Sequence, residues 1–438
     1  MSKELDRIPI SKVQRASKFV AAGAKVGANY VKAYSKAAIK GKLNKEELDQ
    51  DNASDIYNSL SELKGSALKM AQLLSMDQNV LPKAYSDKFA MAQYSAPPLS
   101  YPLVKKTFRE NFDKDPGEMF DSFSKSASNA ASMGQVHKAE KNGQQLAVKI
   151  QYPGVGNSIK SDLKLAKPFA LKLMKVKGKE VEPYMKEVEE KLLEEANYSL
   201  ELEQSMDFAK KCKNLPNLFF PDYFPEYSAP QILTMSWLDG EPIGEWMKCD
   251  QSEEARNKLG QTLWNFYMFQ MHELRMMHAD PHPGNFIINE NKLGVIDFGC
   301  IKKIPADFYK AYFELASHKV LKDPTKVDGL FKELEIIRPS DSERDKEVVS
   351  EMFTGLIQLL SRPFNQEQFD FGDDSFFTEI YQMGDLISKD SEMSRLQARG
   401  SRHFIYFNRT FFGLYNILNA LKANVDTSET NHYLKLAS

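Results

Sequence analysis

The sequence predicts an α+β protein of two lobes, a small one built on a sheet and a larger helical one. Three observations predict it. In the first half, short apolar runs bounded by turn residues read as strands: Leu146–Ile150, entered through Asn142-Gly143, and Ile232–Leu238. From Arg256 onward a helical pattern dominates. It is interrupted by a strand pair, Phe286–Ile288 and Leu293–Ile296, around Asn289-Glu290-Asn291. The length, 438 residues, is enough for two separate cores.

Four segments follow. Residues 1–45 hold 11 Lys/Arg and two acidic residues, a balance of +9, so the rest of the chain carries −11 of the overall −2. As a helix this segment gathers Val13, Phe19, Val20, Val26, Tyr30, Val31 and Tyr34 with lysines beside them. Residues 12–42 are therefore either a solvated helix packed on the body or a surface for anionic lipid. Residues 46–115 form a helical extension, broken at Gly65, Pro82 and Pro97-Pro98. Residues 116–240 form the sheet lobe with inserted helices, among them a highly charged helix from Pro183 to Gln204. Residues 241–438 form the helical lobe.

Composition narrows the function. A net charge of −2 argues against nucleic-acid binding. Cys212, Cys249 and Cys300 lack metal-type spacing and fit a reducing compartment. No run of 18 apolar residues crosses a membrane, and no apolar centre marks a secretory signal. Glu4, Asp6 and the excess of Lys over Arg weigh against a mitochondrial presequence. The expected location is cytoplasmic and peripheral to a membrane, or mitochondrial in a eukaryotic source.

The chemistry lies in His278-Ala279-Asp280-Pro281-His282-Pro283-Gly284-Asn285 and, 17 residues after Asp280, in Asp297-Phe298-Gly299 at the end of an apolar strand. Phosphoryl transfer needs a carboxylate to orient the acceptor, and oxygen ligands for magnesium. Asp280 fits the first role; Asn285 and Asp297 fit the second, since Mg²⁺ prefers hard oxygen donors. A metal-hydrolase cluster of His278, Asp280 and His282 is the competing reading. The later Asp370-Phe371-Gly372 lies in a polar stretch and reads as a capped turn. Lys149, in Ala147-Val148-Lys149-Ile150, has the form of a phosphate-pairing strand lysine. Alone it would be an ordinary strand lysine. Its partner is expected on an acidic helix, where Glu187, Glu190, Glu194, Glu195, Glu201 and Glu203 all qualify by spacing. Upstream, Asn129 to His137 takes the place of a glycine-rich phosphate loop but contains one glycine, Gly134.

These residues resemble the UbiB/AarF family of atypical kinases, whose animal members support coenzyme Q synthesis. The resemblance covers roughly residues 55–425 and is most specific at 130–137, 147–155 and 278–285. It implies a bilobal protein-kinase-like fold with an N-terminal helical extension over the active site. It also implies ATP or ADP and Mg²⁺ as cofactors. The alanine-rich loop Ala130, Ala131, Ser132, Met133 and Gly134 would cover the phosphates, and Val136 and Ala147 would line the nucleotide. Lys149 would pair with Glu201, and Met235, Trp237 and Leu238 would lie beside the adenine. Asp280 would be the catalytic aspartate, with Asn285 and Asp297 on the metal. A family motif, read as Lys69-Met70-Ala71-Gln72, would act through Lys69 and Gln72, the lysine meeting Glu195 of Glu195-Ala196-Asn197. Ala71, Asn129 and Asn197 depart from the family's glycine, alanine and aspartate.

The implied role is an ATPase or kinase serving isoprenoid-quinone lipid metabolism at a membrane surface, with quinone-biosynthesis proteins as partners. No Ala-Pro-Glu follows Asp297, which disfavours ordinary protein-kinase activity. The alternatives are a small-molecule kinase similar to choline and aminoglycoside kinases, which has no use for Lys69 and Glu195, and a nucleotide-binding scaffold without catalysis.

Overall fold

The computed structural model describes residues 12–40, 44–63, 67, 69, 84–85, 88, 98–130, 133–174, 178–396, 399–430 and 433. The predicted breakers Gly65, Pro82 and Pro97 and the site residues Gln72, Ala131 and Ser132 lie outside them, as does Ala71. The chain divides into two compact units, residues 1–207 with 221–237, and residues 208–220 with 238–438.

In the first unit, α1 (Lys12–Lys40) and α2 (Lys45–Leu63) run antiparallel. α1 contains no acidic residue, and its cations meet the acidic α2 at Lys36–Glu47 (2.7 Å) and Lys32–Asp51 (3.5 Å). One face of α1, with Phe19 and Ala22, is buried in a core shared with Ala53, Ile56 and Leu60 of α2. Arg15 lies inside this packing. Its Nε and Nη2 bond the carboxylate of Asp162 at 2.7 and 2.5 Å, and its Nη1 donates to the Leu63 carbonyl. The side chains are 4 % and 1 % exposed.

The sheet of this unit begins after α3 (Tyr101–Phe112), with β1 (Ser122–Phe123) and β2 (Asn129–Ala130). Both flank β3 (Gly134–Lys141), which turns into β4 (Gln144–Gln151). Asn142 and Gly143 have φ of 51° and 77°, the left-handed pair of a tight hairpin turn. Leu146, Val148 and Ile150 of β4 face Val104 and Phe108 of α3 in a buried cluster. The chain then forms α4 (Val155–Met174), α5 (Gly178–Glu195) and α6 (Tyr198–Cys212). The single charged helix expected over 183–204 is thus two helices. Asn197 divides them, its side-chain oxygen accepting from the Leu200 amide at 3.2 Å. A helix start is where asparagine is favoured over a helix interior. After the short β5 (Leu218–Phe219) of the second unit, β6 (Ile232–Ser236) pairs with β4.

The second unit holds the sheet β5–β10–β9–β7, with β7 (Glu241–Pro242), β9 (Phe286–Asn289) and β10 (Lys292–Val295). A second pair joins β8 (Met276–His278) to β11 (Ile301–Lys303). Glu290 and Asn291 turn β9 into β10 with φ of 48° and 59°. Around these pack α7 (Glu253–His272), α8 (Ala306–Leu315), α9 (Pro324–Glu333), α10 (Glu343–Leu360), α11 (Asp374–Lys389) and α12 (Phe404–Ala420). The second Asp-Phe-Gly is a turn: Asp370 accepts from the Gly372 amide at 2.8 Å and Phe371 is core. The three cysteines are free thiols.

Breaking a buried ion pair from one side strands a charge in the core. Asp162→Ala is expected to destabilise the first unit by about 3–5 kcal/mol. The double replacement Arg15→Met with Asp162→Leu should lose clearly less. Thermal melting of the three proteins checks this; equal losses would show that the pair is not desolvated as its burial implies.

Candidate active site

Register on the sheet of the first unit decides which residues share a face. Val136 lies opposite Lys149 and Lys138 opposite Ala147 in the β3–β4 pair. Lys149 lies opposite Leu233 and Ala147 opposite Met235 in the β4–β6 pair. Side chains alternate along a strand, so Val136, Lys138, Ala147, Lys149, Leu233 and Met235 form one face, opposite the core face of Val148 and Ile150. It is a mostly apolar surface that carries two ammonium groups, that of Lys138 next to Ala147 and, between Val136 and Leu233, that of Lys149. The Lys149 ammonium bonds Glu201 of α6 at 2.7 Å, and the two side chains are 13 % and 2 % exposed. Of the many glutamates the sequence offered, the fold pairs Glu201 with Lys149. Beyond Met235, the Trp237 amide donates to the Gln145 carbonyl at 2.9 Å, and its ring lies 4.9 Å from the Lys138 ammonium. Leu238 is half-buried and falls in the second unit.

On either side of the loop before β3, Ala130 pairs with Gln135, and the Met133 carbonyl accepts from the Tyr152 amide at 3.0 Å. Its one glycine is required by contact. A Cβ at Gly134 would lie 2.5 Å from the Tyr198 hydroxyl and 2.6 Å from the Ile150 carbonyl. Tyr198 is buried, and its ring also faces the Lys149 ammonium at 5.1 Å. Six residues before Glu201, Glu195 bonds Lys69 at 2.7 Å. The junction between the two glutamates is tied to the sheet by Gln151, whose Nε2 donates to the Ala196 carbonyl at 2.7 Å.

In the second unit, β8 delivers the loop that carries Asp280. His278 pairs with Ile301, and the Ala279 amide donates to the Cys300 carbonyl at 2.8 Å, so the chain leaves the strand pair at Asp280. The loop then closes on itself. The Asp280 carbonyl accepts from the His282 amide at 2.7 Å and from the Asn285 side chain at 2.9 Å. Asn285 and Asp297 emerge side by side: Phe286 pairs with Val295, and the Ile296 amide donates to the Asn285 carbonyl at 3.1 Å. One Asp297 oxygen accepts from the Gly299 amide at 2.8 Å, while Phe298 is buried against Phe208 and Phe220. The Asp280 carboxylate meets Arg409 of α12 at 2.5 Å.

This geometry removes the hydrolase alternative. His278 is fully buried, its amide bonded to Gln270 and its ring beside the Tyr267 hydroxyl and Phe298. Burial and the nearby Asp280 charge hold the Tyr267 phenol well above its ordinary pKa, so it stays neutral. His282 uses Nδ1 to accept from the Gly284 amide at 3.0 Å. Among the described residues, no group of three or more His, Cys, Asp or Glu side chains is arranged to hold a metal ion. The donor set of Asn285 and Asp297, an amide and a carboxylate, does fit magnesium, which binds few protein ligands and completes its shell with water and phosphate oxygens. The Asn285 amide nitrogen is committed to the Asp280 carbonyl, which fixes the side chain's orientation and points its oxygen elsewhere. Sequence reasoning missed Tyr198 and Arg409. Tyr198 carries a signal in its place three residues before Glu201, whereas Arg409 lies 129 residues from Asp280 and carries none.

Residues 91–330 match the model of the ABC1 atypical kinase-like domain. The chain is 29 % identical over 384 residues to the mitochondrial atypical kinase COQ8 of Saccharomyces cerevisiae, covering 85 % of this chain and 75 % of that protein. It is 27 % identical over 382 residues to mitochondrial atypical kinase COQ8B of Danio rerio, covering 84 % and 60 %. It is 30 % identical over 283 residues to the chloroplastic protein ACTIVITY OF BC1 COMPLEX KINASE 8 of Arabidopsis thaliana, covering 62 % and 37 %. The chain thus spans between about a third and three quarters of these relatives' lengths. Among solved structures, Rv3197 of Mycobacterium tuberculosis, determined with erythromycin, superposes with a TM-score of 0.59 at 25 % identity, covering 89 % of this chain and 96 % of that one. The α+β, kinase-like fold expected from the sequence is the fold found. With its family model matched over more than half its length, the chain belongs to the ABC1, or UbiB/AarF, family of atypical kinases.

Proposed function

We propose that this chain is a Mg-ATP-dependent kinase or ATPase serving isoprenoid-quinone lipid metabolism at a membrane surface. The observation that carries the proposal is the largely desolvated Lys149–Glu201 pair on a sheet face shared with Val136, Ala147, Leu233 and Met235. A partly buried lysine held by a buried glutamate is an oriented ammonium, ready for phosphate oxygens. Val136, Ala147 and Met235 offer the base an apolar surface, and Trp237 and Leu238 continue the chain beside it. The loop from Ala130 to Gly134, including Ala131 and Ser132, would cover the phosphates with backbone amides. Asn285 and Asp297 would hold magnesium, which neutralises charge on the transferred group when bound. Asp280 would orient the acceptor. Lys69, with Gln72, would regulate the site through Glu195. That contact, made by the residue just before the carbonyl held by Gln151, supports the family-type role over a small-molecule kinase.

The membrane proposal rests on α1. Its outer side exposes Val13, Val20, Val31 and Tyr34, while Lys18, Lys25 and Lys32 recur every seven residues along one flank. Residues 12–42 are proposed to touch anionic lipid through this side. Among the described residues no helix is long and apolar enough to cross a membrane. The quinone-biosynthesis partners and an organellar location are proposed by analogy with the relatives, two of which are named mitochondrial and one chloroplastic.

Nucleotide hydrolysis, with and without anionic liposomes and quinone precursors, tests the activity. Asp280→Asn should reduce turnover by roughly 10²–10⁴-fold, the range for loss of a positioned acid–base group. Lys149→Met and Asp297→Asn should each abolish Mg-ATP-dependent turnover. Equal rates for wild type and Asp280→Asn would reject an enzymatic role.

Vesicle co-sedimentation tests the surface. With about 1 kcal/mol per cation near an anionic leaflet, replacing Lys18, Lys25 and Lys32 by Gln should weaken binding to phosphatidylserine vesicles roughly a hundredfold. Unchanged binding would rule α1 out.

A further inference from the structure

The loop that carries Asp280 fixes its own backbone through local bonds. Two donors, the His282 amide and the Asn285 side chain, converge on the Asp280 carbonyl. These bonds leave the carboxylate's torsions undetermined. A charged group also reaches the carboxylate from far along the chain: Arg409 of α12 donates through Nη2 to Oδ1 at 2.5 Å, with its side chain 7 % exposed and that of Asp280 18 %.

A second contact comes from the same helix. Gly413 is one turn beyond Arg409, on the same side of α12. A Cβ at Gly413 would lie 2.3 Å from the Pro281 ring and 3.0 Å from the Pro281 carbonyl. The bare helix backbone is therefore pressed against the residue that follows Asp280, and this close approach brings the guanidinium within reach of the carboxylate. Two positions one turn apart on α12 thus address two adjacent residues of the loop, Asp280 and Pro281. A guanidinium is planar and keeps its charge, so it sets the direction of a carboxylate as well as its position.

We infer that Arg409 is a positioning residue: carried on α12 and seated by Gly413, it holds the Asp280 carboxylate in the orientation from which it meets the phosphoryl acceptor. The inference rests on the proposed phosphotransfer or hydrolysis role of Asp280. It differs from a purely structural tie between α12 and the loop in what it predicts. A structural tie alone would change stability, while a positioning residue changes turnover at constant nucleotide affinity.

The full chain is used throughout, with Mg-ATP as the probe. Turnover, KM for Mg-ATP and melting temperature are measured for wild type, Asp280→Asn, Arg409→Gln, Arg409→Lys and Gly413→Ala. Arg409→Gln should lower kcat between about ten- and a hundredfold, the loss expected when a reacting group is displaced by about 1 Å, with KM within about twofold. Arg409→Lys should recover part of kcat. Gly413→Ala keeps the arginine but pushes the loop away, and should also lower kcat. This variant decides the matter if Arg409→Gln does not fold. Wild-type kcat in either Arg409→Gln or Gly413→Ala overturns the inference, as does a rise in KM at unchanged kcat. A lysine variant no better than the glutamine variant overturns the part assigned to charge. If wild type turns over no faster than Asp280→Asn, the proposed activity itself fails and the role of Arg409 falls with it. That comparison is made before any Arg409 variant, so the two failures are told apart.

Discussion

The ion pair of Lys149 with Glu201 is the contact on which the arrangement around the sheet of the first unit depends. An ammonium group taken into a sheet face without a partner would cost several kcal/mol, so Lys149 requires a carboxylate at a fixed height above β4. Glu201 meets that need only if α6 starts where it does. Its amide bonds the Asn197 carbonyl, which places it in the first helical turn, where a negative side chain also suits the helix dipole. The break between α5 and α6 follows from this. Seven residues, from Glu195 to Glu201, then form a bracket with a lysine at each end, Lys69 and Lys149, and with Gln151 bonded to the Ala196 carbonyl beside the first glutamate. Tyr198 lies within the bracket and limits the loop above it to a glycine at position 134.

The same bracket gives a physical account of one departure from the family pattern. Where the family has an aspartate, this chain has Asn197, and the side-chain oxygen of Asn197 caps α6. Asparagine and aspartate cap helices about equally well, so the local fold does not need the charge. What the chain gives up is a negative group exposed beside Glu195 and Lys69, and with it any electrostatic role that group had there. The substitution is therefore conservative for architecture and not for electrostatics.

What was legible in the sequence was local. Asn142-Gly143 and Glu290-Asn291 announce hairpins because few residues tolerate a left-handed backbone, and both turns are where the pattern put them. Lys149, and the run from His278 to Asn285, were legible because strand alternation and loop chemistry act over a few residues. The choice of Glu201 among six glutamates was not readable from spacing, since an acidic helix presents several at similar intervals. It took the family resemblance to select it. The α5–α6 break was missed because glutamates on both sides, Glu194-Glu195 and Glu201, read as one charged helix, while the cap that starts the second helix is the single residue Asn197. Arg409 was invisible for a stronger reason: its partner is set by how α12 crosses the loop, and no local pattern encodes that crossing.

The histidines of the second unit make the same point from the other side. By type and spacing, His278 and His282 are as good metal ligands as the sequence contains. Their surroundings decide otherwise. His278 is enclosed by Tyr267, Phe286 and Phe298, with its amide held by Gln270, so its ring packs the base of the loop. His282 turns Nδ1 inward to receive the Gly284 amide, which shapes the single turn that ends at Asn285. Both rings stiffen the loop whose backbone presents Asp280 and Asn285. Turn chemistry thus fixes where these two residues leave the chain, and α12 supplies a contact to the Asp280 carboxylate. A loop divided in this way between local and distant constraints can keep its sequence signature while its side-chain geometry is adjusted from elsewhere, through a helix that carries no motif of its own.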